Sequence, residues 1–126
     1  MAKERIDLEF AIRSAPGILY NRLVTPGGLA EWFADNVKLN DEIYTFVWEG
    51  MGEDAKLLGK RDHEFVRFHW MDDDEDDTFF EFRIKIDQLT GDVALLVIDH
   101  VDDDEVEASK QLWEKQIGKL KMILGS

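Results

Sequence analysis

Residues 105–125, EVEASKQLWEKQIGKLKMILG, decide how the rest of the chain must be arranged. On a helical wheel, Leu112, Trp113, Ile117, Leu120, Ile123 and Leu124 fall on one face, while Lys110, Gln111, Glu114, Lys115 and Lys121 lie off it. Asp102-Asp103-Asp104-Glu105 places carboxylates before the positive end of that helix, and Gly125 ends it. Upstream the apolar period is two rather than 3.6. Ile6, Leu8, Phe10 and Ile12 alternate with Asp7, Glu9, Ala11 and Arg13. The same alternation recurs in Tyr44, Phe46 and Trp48, in Val66, Phe68 and Trp70, and in Phe80, Phe82, Ile84 and Ile86. Strands of this kind make a sheet with one apolar face and one wet face. The apolar face must be covered, and the C-terminal helix is the only element large enough to cover it.

Between the first strand and the others, Ser14-Ala15-Pro16 reads as a helix start, with Ser14 as N-cap and proline in the first turn. That helix runs over about 16–24, and Thr25-Pro26 opens a second short one carrying Leu29, Trp32 and Phe33. Further strands are expected near 35–40, 42–48, 54–62, 65–70, 78–87 and 92–101. Asn40-Asp41 and Asp62-His63-Glu64 are tight turns, and Gly50-Met51-Gly52 breaks the run after Trp48. The 92–101 strand is apolar on both faces, so its inward side stays open. The expectation is an α+β, helix-grip arrangement: a curved antiparallel sheet of about seven strands wrapped around a long C-terminal helix. Two short helices follow the first strand, and residues 1–126 form a single domain.

Composition narrows the function classes. With 44% hydrophobic residues and 11% aromatics the chain can build a real core. It has no cysteine, which excludes disulfides, thiolate nucleophiles and cysteine-ligated zinc. Fifteen basic against twenty-eight acidic residues give a formal charge of −13, a field that repels phosphate backbones, so no nucleic-acid partner is expected. Charges at Lys3, Glu4, Arg5 and Asp7 occupy positions where a signal peptide needs an apolar stretch. No segment reaches the roughly 20 apolar residues that span a bilayer. A cytoplasmic protein without membrane insertion is the expectation.

Ser14-Ala15-Pro16, then Leu23-Val24-Thr25-Pro26 and Leu29-Ala30-Glu31-Trp32-Phe33, resemble the opening of START-like domains. The similarity continues through Phe46-Val47-Trp48-Glu49-Gly50, Val66-Arg67-Phe68-His69-Trp70 and Leu112-Trp113. It is strongest to small uncharacterised bacterial members related to the Aha-type co-chaperone that activates a heat-shock-protein ATPase. The resemblance implies a cavity between sheet and helix, which relatives use for lipids, sterols or other hydrophobic molecules. Some relatives are polyketide cyclases and some are co-chaperones. No catalytic motif of any subfamily is carried over.

The residues themselves give little catalytic chemistry. Ser14, Ser109 and Ser126 are the serines, none in Gly-x-Ser-x-Gly. His63 and His69 could approach across a hairpin, but two histidines are a thin ligand set, and His69 falls on the polar side of its strand. His100 ends an apolar strand, where an ordinary hydrogen-bonded role outweighs that of a general base. The runs Asp72–Asp77 and Asp102–Glu105 lack the spacing and central glycine of an EF-hand, and read as a solvated loop and a helix start. Gly27-Gly28 lacks the lysine of a P-loop and reads as a helix-to-helix turn. No catalytic residue, metal site or cofactor is expected.

The aromatic set Phe10, Phe46, Trp48, Phe68, Trp70, Phe82 and Trp113 is therefore the informative one, since large rings on a concave sheet can leave space. Ser109 and Gln116 lie inside the apolar arc of the helix, and a buried amide needs a partner: backbone, water or the polar end of a ligand. With Ile117, these residues are the expected lining of a site for a small hydrophobic or amphipathic ligand. The reading is non-catalytic binding. The alternative is a protein-interaction module with a protein partner on its acidic surface.

Overall fold

A computed structural model describes residues 3–125; Met1, Ala2 and Ser126 lie outside it. The elements follow in the order β1 (Lys3–Ile12), α1 (Pro16–Val24), α2 (Pro26–Trp32), β2 (Asn36–Asn40), β3 (Ile43–Trp48), β4 (Met51–Arg61), β5 (Phe65–Trp70), β6 (Phe80–Ile86), β7 (Val93–Asp102) and α3 (Val106–Leu124). The strands form one antiparallel sheet in the order β1-β7-β6-β5-β4-β3-β2, so the first strand pairs with the last and every other neighbour is a hairpin partner. This is the helix-grip arrangement.

Side-chain alternation settles which face is inside. Ile6 and Ile12 of β1, Val66 and Phe68 of β5, and Phe80, Phe82 and Ile84 of β6 are buried on the face toward α3. The register Phe82↔Val97 puts Leu95, Val97, Asp99 and Val101 of β7 on the same face. Trp113, Ile117 and Leu120 of α3 are buried against this core, whereas Leu112 stays 56% exposed and Ile123 38%. The buried stripe of α3 is thus narrower than the wheel suggests, with Leu112 and Ile123 on its exposed edges.

The local signals differ in how they play out. Thr25 caps α2 as its Oγ1 accepts from the Gly28 amide at 2.9 Å. Gly28 is required there, since a Cβ would stand 2.5 Å from the Asn21 carbonyl oxygen. Ser14 does not cap α1. The N-cap is Ala15, without a side-chain cap bond, and the Ser14 hydroxyl donates instead to the Ala15 carbonyl at 3.3 Å. The run does break after Trp48, where β3 ends, but Met51 and Gly52 already belong to the next strand. Glu49 and Gly50, at φ 51° and 81°, make a two-residue hairpin turn, and β4 begins at Met51 opposite Trp48. Positive φ at both central residues matches the twist of the flanking strands, so pairing resumes at once.

Candidate functional site

Two layers of rings occupy the concave face. The deep layer is closed. Phe46, Phe68 and Phe82 are fully buried, with Phe68 stacked on Phe80 at 4.9 Å and Phe46 edge-on to Phe68 at 5.9 Å. Ile117 is equally buried in that core, and Phe10 on β1 is half-buried at its edge. None of these five expected lining residues reaches an open space near α3. Rings a few ångström apart in edge and stacked contacts fill the part of the concavity around these residues.

The outer layer is not closed. Trp48 at the end of β3, Trp70 at the end of β5, Trp113 of α3 and Phe33 beyond α2 border a cleft of about 150 Å³, with Asp99, Ser109, Leu112 and Gln116 completing its wall. Trp48 and Trp70 lie 6.1 Å apart, and Phe33 stacks on Trp113 at 5.7 Å. Beyond Gln116 an adjoining groove of about 340 Å³ shares Phe33, Trp48, Leu112 and Gln116, and ends at Lys115 and Lys119. A larger hollow of about 400 Å³ on the far side of Trp70 is bordered by Lys3, Glu53 and Asp72 to Glu75, a charged rather than an apolar lining.

The polar groups of the cleft are placed by hydrogen bonds. Gln116 donates its amide to the Phe33 carbonyl at 3.2 Å, and the Trp48 indole donates to the same oxygen at 2.8 Å. The backbone partner thus accounts for an amide inside the apolar arc. Nothing in the sequence marks Asp99, because β7 is apolar on both faces and no pattern tells which way position 99 points. Its carboxylate accepts from the Trp113 indole at 2.9 Å and from the His100 amide at 2.8 Å. Burial pushes the Asp99 carboxyl above its ordinary range, and those two hydrogen bonds only partly oppose the shift. Phe33 is placed with Leu29 and Trp32 in α2 by helical spacing in the sequence. Its part in the cleft depends on the corner between α2 and β2, which helical spacing does not report.

The other candidate groups are engaged elsewhere. His63 pairs with Asp62 at 2.9 Å and stacks on Tyr20, at the opposite end of β5 from His69. His69 Nδ1 meets the Thr78 carbonyl at 2.8 Å. His100 Nδ1 lies 2.8 Å from the Phe79 carbonyl, on the face away from the cleft. Asp73 closes the acidic loop on itself by accepting from Thr78 and from the Glu75 amide. Asp102, Asp104 and Glu105 offer oxygens within 4.8 Å of one another, with the Lys3 ammonium 3.8 Å from Asp102. Ser109 borders the cleft with no acid–base pair built onto it among the described residues, and Ser126 lies outside them.

A family model for the START-like superfamily domain matches residues 1–126. The chain belongs to the START-like superfamily. A solution structure of a Bacteroides fragilis protein is 37% identical over 98% of this chain and 92% of its own, with a TM-score of 0.69. Two further solved structures share the fold at lower identity. An Aha1 dimer from Colwellia psychrerythraea has a TM-score of 0.80 at 18% identity, covering 96% of both chains. A Mesorhizobium loti protein has a TM-score of 0.78 at 16% identity, covering 97% of both. No curated protein matches this START-like chain. The superfamily commonly binds hydrophobic ligands, and no helix among the described residues is long and apolar enough to cross a membrane.

Proposed function

We propose that this protein binds a small hydrophobic or amphipathic molecule, without catalysing a reaction on it, in the cleft between α3 and the concave face of the sheet. One observation carries the reading: the deep rings close on one another, while Phe33, Trp48, Trp70 and Trp113 stop short and border a hollow of about 150 Å³. A space of that size admits one benzene-sized group. The adjoining groove lets a longer apolar body continue past Gln116 toward Lys115 and Lys119, which suits an amphipathic ligand. Trp48, Trp70, Trp113 and Gln116 would touch the ligand. Phe46, Phe68, Phe82 and Ile117 would hold those walls from behind, with Phe10 at the edge. On this reading residues 1–126 act as one cytoplasmic domain, and the charge of −13 disfavours nucleic acid.

The test is titration with toluene, benzyl alcohol and a long-chain fatty acid, followed by tryptophan emission. At least one should give a saturable shift that Trp48→Ala weakens. A second reading, the protein-interaction module, has its own support: Met122 and Leu112 expose apolar surface along α3, and the Colwellia neighbour is a dimer. No saturable response from any probe, together with concentration-dependent association in the ultracentrifuge, would favour that reading over the first.

A further inference from the structure

The cleft joins aromatic walls to one carboxylate, and that combination selects by charge. Asp99 lies on the inner face of β7, and the hydrogen bonds to its carboxylate come from two neutral donors, the Trp113 indole and the His100 amide. The basic groups that act on it are occupied elsewhere. His100 Nδ1 is at the Phe79 carbonyl, 2.8 Å away, and the Lys3 ammonium is 3.8 Å from Asp102. The carboxylate is therefore partly desolvated, and among the described residues no cation is hydrogen-bonded to it, an arrangement that neither hydrophobic packing nor ordinary ion pairing calls for. Around it stand Phe33, Trp48, Trp70 and Trp113, four rings whose π systems attract positive charge.

We propose that the cleft takes a protonated organic amine on a short apolar body, its ammonium toward Asp99 and its body against Trp48 and Trp70. This rests on the binding reading above and deepens it by naming the ligand class. Size limits the amine: about 150 Å³ holds roughly one ring with its substituent. The net charge of −13 works in the same direction, raising the concentration of cations near the surface before any reaches the cleft. A neutral ligand of equal shape would leave the carboxylate uncompensated, and an anion would meet it as a like charge.

The experiment compares benzylamine, benzyl alcohol and benzoate by NMR titration of the indole N–H signals, at about 0.15 M salt so that distant surface charge is screened. Benzylamine, protonated at neutral pH, should bind about tenfold more tightly than benzyl alcohol, with benzoate weakest. Asp99→Asn should bring the amine-to-alcohol ratio to about one. Asp103→Asn, an exposed change of the same charge, should leave the ratio unaltered. Equal binding of amine and alcohol by the unaltered protein would overturn the charge preference and leave the apolar cleft standing. A preference that persists in Asp99→Asn would overturn the role given to that residue. No binding of any of these three probes would overturn the amine proposal, and the titration with toluene and the fatty acid would then decide the binding reading separately. If Asp99→Asn fails to fold, the order of the three probes on the unaltered protein still decides.

Discussion

Two carboxylates on adjacent strands, one buried and one partly buried, are treated in opposite ways by the same fold. Glu81 of β6 lies on the outer face, 1% exposed, and Arg67 and Arg83 reach it at 2.7 and 2.8 Å. Each arginine also lies over a ring, Arg67 over Phe79 at 4.0 Å and Arg83 over Phe65 at 4.5 Å. Asp99 of β7 lies on the inner face, where among the described residues its side-chain hydrogen bonds come from an indole and an amide. The register Glu81↔Ile98 makes them near neighbours through the sheet. The lesson is that burial of an acid does not define its role; what surrounds it does. Glu81 is neutralised within the fold and acts as structure, whereas the surroundings of Asp99 leave a charge for something else to balance.

The comparison can be broken first on the outer face. Replacing Arg67 and Arg83 together by methionine should cost about 3 kcal/mol of stability, near the lower end for stripping a buried charge of its partners, since both arginines are partly exposed. Urea denaturation measures it. A loss under about 1 kcal/mol would mean that Glu81 is not held by those guanidinium groups.

A smaller effect tests the inner face by pH. Burial raises the Asp99 carboxyl above its ordinary 3.8, so the folded state holds this proton more tightly than the unfolded state. The stability contributed by Asp99 is then full below the unfolded value and is lost as pH rises through the folded value. The stability of Asp99→Asn relative to the parent should therefore improve as pH rises from the acid range to neutrality. Urea midpoints of the two proteins across that range report it, and a difference that stays flat with pH would remove the contrast with Glu81.

The smallest effect concerns the uncharged polar group of the cleft. Gln116→Leu should cost less than about 1 kcal/mol, because the Phe33 carbonyl that it satisfies also accepts from Trp48. A loss of 2 kcal/mol or more in urea denaturation, a value typical of an orphaned buried acceptor, would show that the indole alone does not satisfy that oxygen.

Strand and helix periods made the fold legible, because one-faced burial writes itself into the sequence. The alternation of Phe80, Phe82 and Ile84 and the stripe of Trp113, Ile117 and Leu120 correspond directly to buried positions. The site was legible only in part. Trp48, Trp70, Trp113 and Gln116 could be named because each belongs to a periodic element. Which rings would close and which would leave space depends on ring angles and on the line that α3 takes across the sheet, and no spacing encodes either. Asp99 was hidden because its strand is apolar on both faces. Phe33 was hidden because it follows the last turn of α2, where period stops being informative.

The Phe33 carbonyl has a kinetic consequence. A single oxygen receives hydrogen bonds from β3 through Trp48 and from α3 through Gln116, so the end of α2, a strand and the long helix meet at one atom. Each such bond contributes on the order of 1 kcal/mol net. Parting α3 from the corner at Phe33 therefore has a small barrier from these bonds compared with melting the sheet, whose core sits behind closed rings. On the binding reading proposed above, molecules would exchange through this mouth by loosening two hydrogen bonds and the local packing of Trp113 while the sheet stays intact.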